Sequence, residues 1–239
     1  IGATLRTAID TPPPLPPPLI TDFLYSQCVM MLTGETGRGK SVIASNIGLA
    51  CSSGTPLFGS LAIPRPCRVF YMQMEGSLPE QLRRLHSMLT VLPWNTDNLY
   101  WDANRKTRLV TTVPQSVAAK LALITAAFPQ GVDLIIIDPI YKVVGGDIAN
   151  AEMALSLVNF CDTLVDTFHC SVLLIHHPHR EKLTISGKKM VEDDAYYGHS
   201  FLKNNVEVSY VFQATDALGE SGQLVRKKRR EDNTLPVID

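Results

Sequence analysis

The chain has 239 residues, of which 45% are hydrophobic and 19% are charged, and its formal net charge is -1. This length suits one large α/β domain with a substantial core, and the composition is that of an ordinary soluble globular protein. The near-neutral charge balance argues against a protein coated in positive charge, so basic groups that bind nucleic acid would have to be gathered locally.

The chain carries five cysteines, and no two of them have the close spacing of a zinc knuckle or a redox motif. Cys51 and Cys170 lie in apolar stretches, which predicts reduced core thiols and a cytoplasmic protein. No apolar run reaches the roughly 18 residues that a membrane-spanning helix needs, and no signal-peptide pattern is present. We therefore expect no membrane association.

The first segment with a distinct composition is the proline-rich run at residues 11–18, which can form neither a helix nor a central strand. It predicts a polyproline-type arm or linker, and the alternative is a tail without a role. We accordingly divide the chain into an arm at residues 1–18 and one α/β domain at residues 19–239.

From Cys28 onward, short apolar runs alternate with stretches of helical periodicity. The predicted strands cover residues 28–32, 68–72, 134–137, 171–175, 207–213 and 223–227. The predicted helices cover residues 41–51, 79–92, 116–127 and 152–168. The second of these helices is amphipathic, with Leu82, Leu85 and Leu89 on one face. This alternation predicts a mostly parallel, doubly wound sheet flanked by helices.

Residues 34–41, the phosphate loop, match the pattern G-x-x-x-x-G-K-S between a predicted strand and a predicted helix. Such a loop folds its backbone N–H groups around phosphates, and the helix N-terminus adds a favourable dipole. Lys40 is expected to reach the β- and γ-phosphates of a nucleotide, and Ser41 is expected to ligate Mg²⁺. The predicted nucleotide-binding residues are Gly34, Glu35, Thr36, Gly37, Arg38, Gly39, Lys40, Ser41 and Val42.

Two acidic residues follow predicted strands. Asp138 ends the aliphatic strand 134–137, where a Walker B carboxylate would hold Mg²⁺ through water. Pro139 follows it instead of a second acid, so the general base must come from the end of another strand. Glu75, after strand 68–72, is the best placed candidate to orient and deprotonate the attacking water. The alternative for Glu75 is an acid that initiates the next helix.

Three histidines, His176, His177 and His179, follow strand 171–175. No carboxylate or cysteine is spaced to complete a zinc site with them. We predict that His176 or His177 hydrogen-bonds near the γ-phosphate and reports its presence to the following loop. The alternative is a solvent-facing strand end.

Basic residues are concentrated in two places. Residues 180–197, from Arg180 to Tyr197, form a long polar connection that either contacts a phosphate backbone or is a surface loop. The densest basic block runs from Arg226 to Arg230. In a strand, Lys228 and Arg230 would share one face and would enter a neighbouring subunit's nucleotide site as finger residues. A localisation tag or a solvated basic edge is the alternative.

Together, these motifs resemble those of the RecA-like hexameric ATPases, and among them the RepA-type replicative helicases of plasmids and phages. The resemblance rests on the phosphate loop, Glu75, Asp138, the segment 174–177, the segment 198–200 and the late basic strand. It implies a RecA-type P-loop fold, Glu75 as the catalytic base, and a basic finger within residues 227–230. It also implies that single-stranded DNA contacts residues 180–197 and the shorter loop from Tyr141 to Asn150.

The expected function is therefore an ATP- and Mg²⁺-dependent ring motor, a hexamer that moves along single-stranded DNA as a replicative helicase. Apart from the late basic strand, no residue of the chain is an obvious source of positive charge for the transition state, which also favours a site completed between subunits. The alternatives are a regulatory or recombination ATPase of the same fold and a nucleotide-gated module that recruits replication proteins.

Overall fold

In a computed structural model of the chain, the described residues are 10, 17–92, 94–103, 109–177, 200–215, 221–229 and 237–238. The strands are β1 (Pro18–Ile20), β2 (Leu24–Tyr25), β3 (Val29–Gly34), β4 (Val69–Gln73), β5 (Leu99–Asp102), β6 (Leu134–Asp138), β7 (Ser171–His176), β8 (Val208–Ala214), β9 (Gly222–Arg229) and β10 (Val237–Ile238). The helices are α1 (Lys40–Ser53), α2 (Leu78–Val91), α3 (Pro114–Ala127), α4 (Ala151–Phe168) and α5 (Ser200–Asn205).

Eight of the strands form one sheet in the order β10-β9-β8-β3-β7-β6-β4-β5, and β1 pairs with β2 in a separate hairpin. The six strands from β8 to β5 run parallel, whereas β9 and β10 are antiparallel at one edge. This is the mostly parallel, doubly wound sheet that the sequence predicts. Because the strands are parallel, the loops after β3, β4, β6 and β7 open at one common edge.

Each predicted helix and strand is present, with its ends within two residues of the predicted ones. The sequence did not predict β5, a four-residue strand at the end of the sheet whose Tyr100 is exposed. It also missed the hairpin of β1 and β2 and the short helix α5. All of these elements are too short to show a clear periodicity.

The core consists of two apolar layers, one on each face of the sheet. Alternate residues of a strand point to opposite faces, so Met31 lies in one layer and Met30 in the other. Side chains of α3 and α4 cover the first face, as Ile124 and Leu157 do, and α1 covers the second through residues such as Ile47. Burial on both faces explains why the central strands are nearly continuous apolar runs.

Helix α2 differs from the other long helices because it contributes little to this core. It begins with a capping box formed by Ser77 and Glu80, and Gln81 is its only buried residue. Of the leucines predicted to share one face, Leu82 is 52% exposed and the other two are partly buried. The predicted amphipathic helix is therefore present, but its apolar face is not buried in the domain.

All five cysteines are buried free thiols, in agreement with the prediction of reduced core residues. Within the described parts of the chain, no helix combines the length and the apolar character needed to span a membrane.

Candidate active site

The phosphate loop connects β3 to α1 and depends on glycine at two positions. At Gly34, φ is +152°, and an added Cβ would lie 2.6 Å from the carbonyl oxygen of Phe212 in β8. Gly39 precedes the first turn of α1 with φ of +89°, a conformation that strains other residues. The predicted motif therefore forms the tight turn that brings the N-terminus of α1 to the edge of the sheet.

A cleft of about 800 Å³ lies at this edge. It brings together residues that are far apart in the sequence, from the phosphate loop, from the end of β4 and from the end of β7. The predicted site residues that line it are Thr36, Gly37, Gly39, Lys40, Ser41, Val42, Glu75, His176 and His177. Gly34, Glu35 and Arg38 belong to the same loop, and Arg38 forms an ion pair with Glu35 at 3.3 Å.

Lys40 is the buried cation of the cleft. Its Nζ donates hydrogen bonds of 2.6 Å to the carbonyl oxygens of Gly34 and Glu35, and the residue is 2% exposed. Burial lowers the pKa of Lys40 to about 8 against the attraction of Asp138, Glu35 and Glu75. The ammonium group is thus held at the base of the loop and is still mostly charged at neutral pH.

Asp138 lies fully buried at the end of β6. Its Oδ1 accepts a hydrogen bond of 3.2 Å from Ser41 Oγ, and its Oδ2 accepts one of 2.7 Å from the hydroxyl of Tyr71. Burial raises the pKa of Asp138 to about 6, although both hydrogen bonds act in the opposite direction. Among the described residues, no lysine or arginine forms an ion pair with it. A buried carboxylate beside a hydroxyl, without a direct ion-pair partner among the described residues, fits the oxygen ligands that Mg²⁺ prefers.

Glu75 lines the cleft from the loop after β4. One of its carboxylate oxygens accepts a hydrogen bond from the hydroxyl of Tyr141, and its backbone carbonyl accepts one of 2.6 Å from Gln81 Nε2. Ser77 and Glu80 cap the following helix, so Glu75 is not the acid that initiates it. A carboxylate beside the phosphate loop is geometrically suited to act on a water in the cleft.

His176, the last residue of β7, and His177, which follows it, also reach the cleft. Burial, and after it the charge of Lys40, lowers the pKa of His177 to about 4, so His177 is neutral at pH 7. Within the described structure, neither of its buried ring nitrogens has a hydrogen-bond partner. The described residues contain no cluster that could hold a metal through histidine, cysteine or acidic side chains, and His179 lies outside them.

Comparison with known proteins agrees with this geometry. A family model described as an AAA domain, AAA_25, matches residues 3–182. The chain belongs to the AAA_25 family. A search of curated proteins found no match.

Solved structures support the same fold for this AAA domain. One ATPase domain of known structure is similar to it with a TM-score of 0.63 and 9% identity, over 90% of this chain and 81% of that one. A KaiC-like protein from the hyperthermophilic archaeon Pyrococcus horikoshii OT3 has a TM-score of 0.52 and 15% identity, over 92% of this chain and 87% of that one. The AAA domain thus has the RecA-like P-loop fold, and its family and phosphate loop make it a nucleotide-binding ATPase domain.

Arg84 of α2 also lines the cleft. Sequence reasoning did not single out this residue. Arg84 is a cation beside the cleft that the sequence reasoning did not consider when it looked for a source of transition-state charge. Arg84 follows Gln81 by three residues, so the two side chains are neighbours on the surface of α2. The spacing of Gln81 and Arg84 was the available signal in the sequence.

The loop predicted to contact DNA after β6 borders the nucleotide cleft. It begins with a 3-10 turn at Ile140–Lys142, and Val143, Val144 and Ile148 are buried. Tyr141, Gly146, Asp147 and Ile148 line the cleft. The second predicted DNA-contacting segment, residues 180–197, lies outside the described residues.

The late basic strand β9 is irregular where the finger residues were predicted. Arg226 pairs with Tyr210 and Lys228 pairs with Ser209, so Lys227 is an extra residue that forms a β-bulge. The regular alternation of side chains between the two faces of the sheet is therefore interrupted at Lys227. Lys228 Nζ donates to the carbonyl of Lys203 at 2.6 Å, near the end of α5. Arg230 lies outside the described residues.

Proposed function

We propose that this AAA domain is one subunit of a cytoplasmic, hexameric ring that hydrolyses ATP and moves along single-stranded DNA as a replicative helicase. The observation that carries the proposal is the meeting of Lys40, Ser41 and Glu75 in a cleft that the loop after β6 also borders. A loop shared by the hydrolysis site and the DNA path would make its DNA contacts depend on the state of the nucleotide.

In the proposed reaction, Lys40 binds oxygens of the β- and γ-phosphates, and Glu75 orients a water and accepts its proton. The water oxygen forms a bond to the γ-phosphorus as the bond to the bridging oxygen of ADP breaks, which yields ADP and phosphate. Ser41 and Asp138 would hold Mg²⁺, which supplies neutralising charge to the phosphates when bound. His177, neutral and with buried ring nitrogens, is suited to hydrogen-bond the γ-phosphate.

The developing negative charge of the transition state needs further cations. Arg84 is available within the same chain because it lines the cleft. We propose that a neighbouring subunit adds a trans-acting finger from its late basic strand, either Lys228 or Arg230. The exposed residue Lys227 is a suitable comparison for both.

A mixing experiment tests the finger. Subunits with Arg230→Ala or Lys228→Ala should bind nucleotide normally and lose about 1,000-fold or more in turnover. When these finger variants are mixed with Lys40→Ala subunits, the mixed rings should recover part of the lost turnover. Some interfaces then pair an intact phosphate loop with an intact finger. Lys228 also bonds the end of α5, so its variant requires an unfolding curve as a stability control. Absence of recovery in verified mixed rings would refute a trans-acting finger.

Three measurements test the overall proposal. Particle mass with and without nucleotide should give a hexamer, single-stranded DNA should stimulate ATP hydrolysis, and a forked duplex should be unwound. Stimulation without unwinding would favour a regulatory or recombination ATPase. Negligible turnover with nucleotide-dependent capture of a replication protein would favour a recruitment module.

The proposed DNA contact of residues 180–197 has its own test. Neutralising Lys188 and Lys189 together should weaken DNA binding while basal hydrolysis continues. Each lost phosphate contact should reduce the log–log salt slope by about 0.7 for a single strand. An unchanged slope would mean that these two lysines do not contact DNA.

A further inference from the structure

We propose that Tyr71, Trp101 and Gln81 form a bracket that positions Asp138 and Glu75, the two carboxylates to which the proposed function assigns metal binding and proton transfer. The bracket runs from β4 through β5 to α2 and touches each carboxylate residue at one end. Its members are positioning residues, and the inference rests on the proposed ATPase chemistry.

The first end of the bracket holds the side chain of Asp138. Tyr71 is fully buried in β4, and its hydroxyl donates to Asp138 Oδ2 at 2.7 Å across the pairing of β4 with β6. The other oxygen, Oδ1, then faces Ser41 Oγ at 3.2 Å. A buried hydroxyl without a partner is costly, so this bond fixes the rotation of the carboxylate. The oxygen beside Ser41 is thereby directed toward the place where Mg²⁺ would bind.

The middle of the bracket joins the two ends. Trp101 pairs with Tyr71 across β5 and β4, and their rings stack with centroids 4.1 Å apart at 24°. Trp101 Nε1 donates to Gln81 Oε1 at 2.9 Å. Trp101 therefore links a side chain that contacts Asp138 to a side chain of α2.

The second end of the bracket holds the loop that carries Glu75. Gln81 Nε2 donates to the backbone carbonyl of Glu75 at 2.6 Å, so one amide group bonds both Trp101 and this loop. Gln81 is also the only buried residue of α2, a helix described over its whole length. A helix that leaves Leu78 and Leu82 exposed and buries a glutamine is anchored by this polar contact. The amide therefore sets where the base-bearing loop lies relative to the sheet.

The chain offers a matched control on the opposite face of the same two strands. Phe70 and Tyr100 are also cross-strand partners, and their rings stack with centroids 5.0 Å apart at 10°. Phe70 belongs to the other core layer from Tyr71. Tyr100→Phe therefore changes a hydroxyl in the same strand pair without touching the bracket.

The experiment compares Tyr71→Phe, Trp101→Phe and Gln81→Met with Tyr100→Phe. For each variant, kcat and KM for ATP are measured, and the affinity for a fluorescent, non-hydrolysable ATP analogue is measured with Mg²⁺ and with a chelator. Tyr71→Phe keeps the stacked ring but loses the bond to Asp138. It should reduce the gain in affinity that Mg²⁺ provides by about 10-fold or more, since residues that orient metal ligands typically contribute about 10- to 100-fold.

Trp101→Phe and Gln81→Met should preserve that Mg²⁺-dependent gain and instead lower kcat about 10- to 100-fold with little change in KM, because small displacements of a catalytic group have effects of this size. In a Trp94→Phe background, the fluorescence of Trp101 reports whether the stack persists in Gln81→Met. The conservative Trp101→Phe variant keeps an aromatic ring against Tyr71, so it tests the hydrogen bond even where Gln81→Met unfolds.

Two results would overturn the bracket. If Tyr71→Phe retains the full Mg²⁺-dependent gain, Tyr71 does not position Asp138. If Trp101→Phe matches Tyr100→Phe in kcat, the bracket does not position Glu75. These failures differ from failure of the proposed function. A wild-type chain that does not hydrolyse ATP refutes the function before any variant is compared. Absence of stimulation by DNA refutes the motor, while both tests of the bracket remain decisive.

Discussion

Strand β6 has an aspartate at each end, and the two lie in opposite electrostatic surroundings. Asp133, just before the strand, accepts hydrogen bonds from Arg65 Nη2 at 2.8 Å, from the backbone N–H of Arg68 at 2.7 Å and from Arg68 Nε at 3.1 Å. Within the described structure, the carboxylate of Asp138, the last residue of the strand, accepts hydrogen bonds only from two hydroxyl groups. Burial opposes ionisation of both, yet the pKa of Asp133 is about 2 and that of Asp138 is about 6.

This difference in pKa distinguishes Asp133, a structural carboxylate, from Asp138, a carboxylate suited to bind a ligand. At the amino edge of the sheet, the arginine hydrogen bonds more than offset burial, so Asp133 is neutralised within the fold. At the carboxyl edge, nothing within the described structure neutralises Asp138 by an ion pair. A divalent cation would supply the missing charge, and we expect function to depend on the carboxyl edge and stability to depend on the amino edge.

The largest expected effect comes from removing the cation of the carboxyl edge. Lys40→Ala should abolish hydrolysis and weaken nucleotide binding, because it removes the charge that faces the β- and γ-phosphates. Arg65→Ala, at the amino edge, is the control and should leave turnover near that of wild type. Turnover of Lys40→Ala within a few-fold of wild type would show that the site is elsewhere.

The second-largest expected effect on turnover comes from changing Glu75, the proposed general base. Glu75→Gln should preserve nucleotide affinity and reduce turnover about 100- to 10,000-fold, because an amide positions a water but does not accept its proton. Single-turnover hydrolysis and binding of a fluorescent nucleotide separate the two quantities. Equal loss of both would make Glu75 a structural residue, and unchanged turnover would move the base to another carboxylate.

The sequence predicts the parts of this site that depend on local pattern. The phosphate loop, the aliphatic strand before Asp138 and the alternation of helices and strands are visible along the chain because each uses neighbouring residues. The contacts of Tyr71 and Gln81 are not visible, because they exist only once β4 lies between β5 and β6. The bulge at Lys227 likewise depends on pairing with β8, so alternation in a single strand could not reveal it.

A smaller effect, on stability rather than turnover, distinguishes the two aspartates directly. Between about pH 4 and 6 the native protein keeps a proton on Asp138 that the unfolded chain has released, so the contribution of Asp138 to stability falls as pH rises through this window and remains low above it. Without Mg²⁺ and nucleotide at pH 7, Asp138→Asn should therefore raise the free energy of unfolding, by up to about 3 kcal/mol.

Asp133 should behave in the opposite way. Its lowered pKa contributes stability that is present above about pH 4 and is lost as pH falls toward 2. Asp133→Asn at pH 7 should lower the free energy of unfolding by about 2 kcal/mol, the size expected for hydrogen bonds to a charged group. Urea unfolding curves at pH 5 and pH 7 measure both variants. Destabilisation by both substitutions would remove the distinction between the two edges.

The smallest expected effect lies at the rim of the cleft, where Tyr141 bonds the carboxylate of Glu75. Tyr141 is 37% exposed and begins the loop that we propose contacts DNA, so a DNA strand on that loop would compete with this bond. Glu75 bonded to Tyr141 is less available to accept a proton from water. Tyr141→Phe should therefore raise basal turnover without DNA about three- to tenfold, the equivalent of one ordinary hydrogen bond, and should reduce the further stimulation by single-stranded DNA. Lys142→Met is the matched control for basal turnover without DNA, since it removes the cation that lies 5.0 Å from the centre of the Tyr141 ring and leaves the hydroxyl in place. If Tyr141→Phe instead lowers basal turnover, the hydroxyl holds Glu75 in its productive position, and DNA must act on the site by another route.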